Sequence, residues 1–131
     1  MMRRVRGALL LAAAVFVAGC AIPNPTKMEV LDDIPAAKIP EIDAVPEILA
    51  GKLAAVRHEP LAEVTGVSCR RVYKGTPPSW EDAVRRTKFR AMQAGGNAIT
   101  NLSCDSPQGR SLTTLCLESI RCTARAVRLL D

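Results

Sequence analysis

Histidine is nearly missing from this chain of 131 residues: there is one, His58, set two residues before a proline. Among residues 62–131 no Ser-His-Asp or Cys-His set is therefore available for nucleophilic catalysis. The five cysteines include no C-x-x-C pair, so neither a thioredoxin-type site nor a zinc knuckle is indicated. No glycine-rich loop opens a helix, which leaves no cradle for a phosphate. Aromatic residues make up 3 % of the chain, and Tyr73, Trp80 and Phe89 are the ones available to a core after the first apolar run. An enzyme is not expected, nor a metal or other cofactor.

Long apolar runs are also lacking. The longest, residues 8–18, is eleven residues, against the ~20 that a membrane-spanning helix needs. It follows Arg3, Arg4 and Arg6 and precedes Val17-Ala18-Gly19-Cys20. A basic start, a short apolar stretch and small residues before a cleavage point form a secretory signal, here over residues 1–19. The final four resemble a bacterial lipobox, which implies a covalent lipid on Cys20. Ala21 follows, where an aspartate would retain a Gram-negative lipoprotein in the inner membrane; by that resemblance the outer membrane is expected.

Removing Cys20 from the count makes the cysteines even: Cys69, Cys104, Cys116 and Cys122. In an oxidising compartment four cysteines imply two disulfides. Cys116 and Cys122 lie on one expected strand, about 20 Å apart if extended. Bonded cysteines need Cα atoms within about 7 Å, so these two should not pair with each other. Each must reach Cys69 or Cys104. A simple hairpin about residues 107–110 would set Cys104 opposite Cys116.

Charge divides the chain. The net +5 includes three signal arginines; residues 20–61 carry −3 and residues 62–131 carry +5. An acidic tether with a mildly basic domain fits better than a nucleic-acid binder. Residues 20–61 contain Pro23, Pro25, Pro35, Pro40, Pro46 and Pro60. Each fixes its own φ and pushes its predecessor to an extended conformation. A semi-rigid, partly polyproline linker is expected, in preference to an arm packed on the domain. It would reach on the order of 100 Å at about 3.1 Å per residue. A short helix over residues 47–57 is conceivable but weakened by Gly51.

Residues 62–131 should form the domain, near the size at which a core needs covalent help. Residues 63–69 read as a strand. Ser79 then caps a helix, with Asp82 three positions on, and Gly95-Gly96 ends it. Trp80, Ala83, Val84, Thr87, Ala91 and Ala94 share one helical face and should pack in the core. Residues 98–104 and 115–129 read as strands, the latter carrying Cys116, Ile120, Cys122, Ala124 and Ala126 on one face. The class is α+β: one helix packed on a three- to four-stranded sheet. Phe89, with Arg85, Arg86, Lys88, Arg90 and Met92 around it, lies opposite the core stripe. The plain reading is a solvated basic face. The sharper one, centred on Phe89 and Arg90, is a contact surface for anionic headgroups or a protein partner.

Together, Val64-Thr65-Gly66-Val67-Ser68-Cys69, Pro77-Pro78-Ser79, Gly96-Asn97-Ala98-Ile99 and Ser103-Cys104, with Cys116 and Cys122 six apart, resemble the RcsF-like outer-membrane lipoproteins. These sense envelope stress for the Rcs phosphorelay. The resemblance implies disulfides from first to third and second to fourth cysteine: Cys69–Cys116 and Cys104–Cys122. It implies partners too, namely the barrel-assembly machinery, outer-membrane barrel proteins and an inner-membrane regulator of the relay. A structural or assembly-accessory lipoprotein without signalling is the alternative expectation.

Overall fold

The computed structural model describes residues 33–110 and 115–130. The expected signal, Cys20 and the first part of the linker lie outside the described residues.

A mixed four-stranded sheet carries one long helix on one face. Its strands are β1 (Glu47–Ile48), β2 (His58–Arg70), β3 (Ala98–Cys104) and β4 (Glu118–Leu129). Their order is β1-β3-β4-β2, with β4 antiparallel to both neighbours and β1 parallel to β3. The long helix α3 (Trp80–Gln93) crosses β2 and β4. The fold class is α+β, as the alternation of patterns suggests.

Local chemistry explains the ends of α3. Ser79 is extended at φ −132° and its Oγ accepts the Asp82 N–H at 3.1 Å. That satisfies one of the donors left unpaired in the first turn. The Ser79 N–H in turn donates to Ser68 Oγ at 3.1 Å, tying the helix start to β2. At the other end Gly95 takes φ +87°, and the Gly96 N–H reaches back to the Ala91 carbonyl at 2.8 Å. Glycine is suited to that left-handed position.

The core is built from small residues. Ala83, Thr87 and Ala91 of α3 are fully buried, against Ile120, Cys122, Ala124 and Ala126 of β4. The Thr87 hydroxyl, buried among them, donates to the Ala83 carbonyl at 2.8 Å, with Cys122 O a second acceptor at 3.3 Å. Two members of the expected stripe fall outside it. Trp80 is 45 % exposed and Ala94 is exposed. The helix approaches the sheet on alanine, threonine and glycine, which leaves no depth for an indole, and Trp80 stands at the first residue of α3.

Residues 36–61, expected within an extended linker, pack onto the domain. A 3-10 turn (Ala36–Lys38) leads into α1 (Ile39–Asp43), which lies on α3 and buries Ile42 completely. Arg85 binds Asp43 through two bonds, Nε to Oδ1 at 2.8 Å and Nη2 to Oδ2 at 3.1 Å. The chain then forms β1 at the sheet edge, where Ile99 N–H donates to Pro46 O at 3.0 Å and Thr100 Oγ1 to Ile48 O at 2.7 Å. After the single turn α2 (Ala50–Leu53) it enters β2, five residues earlier than expected.

The prolines permit this because each sits where no amide donor is needed. Pro35 precedes a turn and accepts from Lys38; Pro40 lies in the first turn of α1; Pro46 is an acceptor before β1. Pro60 lies on β2, an edge strand, beside a register shift between Pro60 and Glu63. All are positions that proline tolerates.

Candidate functional site

The two disulfides organise the site. In the β3–β4 ladder Cys104 stands directly opposite Cys122, with Cα atoms 4.0 Å apart, and the two are bonded. Cys69 at the end of β2 is bonded to Cys116, Cα to Cα 5.5 Å. Both pairs are those the family resemblance implies. The simple hairpin that would oppose Cys104 to Cys116 does not form. After β3 the chain stays beside β4, with Asp105 N–H on Arg121 O and Gln108 exchanging both backbone bonds with Ser119. The turn therefore comes later, and the register slides Cys104 onto Cys122.

The staples serve opposite faces of the sheet. Cys122 joins Ala83 and Ile120 beneath α3. Gly66, opposite Cys122, also faces the helix; Cys69, three residues on, points to the other side. Cys116 itself is not in a strand, contrary to the expected span from 115. Leu115 before it has φ +57°, a left-handed value that ends any extended run for a bulky residue.

Arg70 fastens the end of β2. Its Nη2 pairs with the Glu118 carboxylate at the start of β4, and its Nη1 donates to Tyr73 O at 3.2 Å. Its Nε is buried without a partner among the described residues. Arg110 Nη2 reaches the Tyr73 hydroxyl at 2.5 Å, joining the loop after β2 to the loop after β3. The result is an end built from residues 70–80, 105–110 and 115–117, on which Val72 is 62 %, Tyr73 71 % and Leu115 63 % exposed. Sequence reasoning did not find this end, because it assigned Trp80 to the core and Leu115 to a strand.

The expected contact surface on α3 looks different in place. Phe89 and Arg90 are both half-buried rather than projecting. Arg85 pairs with Asp43 and Glu81, Arg86 pairs with Asp82, and Met92 packs on the core. His58 begins β2, its Nδ1 2.8 Å from Val56 O. Among the described residues no group of three His, Cys, Asp or Glu is placed to hold a metal, and no helix is long and apolar enough to cross a membrane. No protein-family model matches the chain, and no curated protein matches it either.

Proposed function

We propose that this chain is an RcsF-like lipoprotein, anchored to the outer membrane by lipid on Cys20, that senses envelope stress and activates a phosphorelay through protein contacts. The observation that carries the reading is the interleaved pairing of Cys69 with Cys116 and Cys104 with Cys122, in a sheet that carries one long helix. Four cysteines allow three connectivities. Only one of them agrees with the family whose lipobox, helix entry and cysteine order these residues resemble.

Contact, not catalysis, is the mode the chemistry favours. Arg85 and Arg86 of α3 are engaged in ion pairs, and the one histidine stands at the opposite end of β2 from the disulfide. By resemblance the partners are the barrel-assembly machinery and barrel proteins at rest, and an inner-membrane regulator under stress. Phe89 and Arg90 are the residues assigned to that contact.

The test is a relay-output reporter in a host lacking the chain, complemented with wild type, Cys20→Ala or Phe89→Ala/Arg90→Ala. Wild type should restore induction by envelope damage, and both variants should blunt it. Non-reducing peptide mass mapping verifies that the variants keep both disulfides and that Cys20 carries lipid. Unchanged induction in the deletion host, with poorly assembled barrel proteins, would replace this reading with the accessory one.

A further inference from the structure

The exposed end beyond β2 carries a second feature, one that a chain of any other function could carry as well. Four large apolar side chains stand in solvent there: Val72, Tyr73, Trp80 and Leu115. The turn closed by Gly75 N–H on Val72 O presents the first two. The Ser79–Ser68 bond places Trp80 at the same end, and the Cys69–Cys116 disulfide places Leu115 there. Leu115 is held at φ +57° while 63 % exposed. A bulky residue in that conformation is strained.

Charge surrounds these residues unevenly. Arg71, Lys74 and Arg110 are exposed around them. The loop of residues 71–79 has no acid, and Asp105 is the acid of residues 105–110. At the margins Glu118 is taken by Arg70 and Glu81 by Arg85. Tyrosine and tryptophan with aliphatic neighbours and basic stems are the side chains that settle at the headgroup level of a bilayer. We propose that this end is a seat for an anionic lipid surface, with Trp80, Tyr73, Val72 and Leu115 entering the interface and Arg71, Lys74 and Arg110 meeting headgroup phosphates. An anionic membrane is favoured over an acidic protein because the apolar groups, on strand-end loops and at the first residue of α3, are amphipathic rings and single aliphatics.

Trp80 is the chain's one tryptophan, so its emission reports this end alone. The full chain would be reconstituted in vesicles of phosphatidylglycerol and bromine-labelled phosphatidylcholine, and in wholly phosphatidylcholine vesicles with the same label. Trp80 should be quenched by the bromolipid and shielded from acrylamide in the anionic vesicles, but not in the neutral ones. Lys74→Glu and Arg110→Glu should each lower the docked-to-undocked ratio about fivefold or more, as loss of one cation near an anionic surface predicts. Both positions are exposed loop residues, and the disulfide map of each variant checks its fold. Equal acrylamide access in anionic and neutral vesicles would overturn the proposal. So would bromolipid quenching that survives both reversals. A photo-crosslinker at position 73 that captures an acidic protein, without bromolipid quenching, would also overturn it in favour of a protein partner.

Discussion

Gly66 and Thr87 meet where α3 crosses β2, so closely that a Cβ on Gly66 would lie 2.2 Å from the Thr87 backbone nitrogen and 2.6 Å from the Ala83 carbonyl oxygen. Backbone cannot move aside as a side-chain tip can. Gly66→Ala should therefore destabilise the domain by about 3 kcal/mol or more. Thermal unfolding would show this as a fall in Tm on the order of 10–20 °C. A fall under a few degrees would mean that the helix is not seated there.

Ile42 should hold the arm. It is fully buried where α1 lies on α3, and truncation to alanine should cost about 3 kcal/mol. The loss should appear as local opening rather than global unfolding. Hydrogen exchange at the Ile99 amide, which donates to Pro46 O, reads it directly. In Ile42→Ala that amide should exchange faster, while amides of the β2–β4 ladder keep their protection.

The Asp43–Arg85 pair gives the arm a pH dependence. The hydrogen bonds from Arg85 hold the Asp43 carboxyl below its usual range, and the charges of Arg85 and Lys88 act in the same direction. A lowered folded value means stability that is present above the ordinary aspartate range and lost as pH falls through the lowered one. Trypsin is inactive there, so pepsin cleavage within residues 33–57 is the measurement. Cleavage should rise in that acid window for wild type, and the rise should be absent in Asp43→Asn.

The disulfides should differ in what they contribute. Cys69–Cys116 spans 47 residues and Cys104–Cys122 spans 18. Restriction of the unfolded chain predicts about 4 kcal/mol for the first and about 3 kcal/mol for the second. Urea denaturation of the Cys69→Ala/Cys116→Ala and Cys104→Ala/Cys122→Ala variants would measure both. A cost near zero for the longer staple would show that the end of β2 orders itself without it.

Several elements were legible in the sequence because their signals are local. β3 matches its expected span, Ser79 caps α3 as its spacing with Asp82 suggests, and the buried face of β4 follows the alternation from Ile120 to Ala126. The arm was not legible. Prolines exclude a continuous helix or ladder, yet they fit an edge, a first turn or a position before a strand. A two-residue strand such as β1, paired in parallel with residues some 50 positions on, leaves no periodic trace. The site was only half legible. The expected strand from 115 excluded a bond between Cys116 and Cys122, although Cys116 lies before β4, and the choice among the rest depended on where the loop after β3 turns. Trp80 followed its helical period in sequence and failed in space, because the helix lies too near the sheet.

The parallel attachment of β1 sets how the molecule answers to pulling. Tension applied at residue 33 would act first on the two-residue β1–β3 pairing and on α1, not on the long β2–β4 ladder. Those short attachments yield one after another, like a zip opened from its end. Freeing residues 36–57 would lengthen the chain by on the order of 70 Å, at about 3.3 Å per residue. The segment from Cys69 to Cys122, closed by two covalent bonds, would keep its shape under the same load.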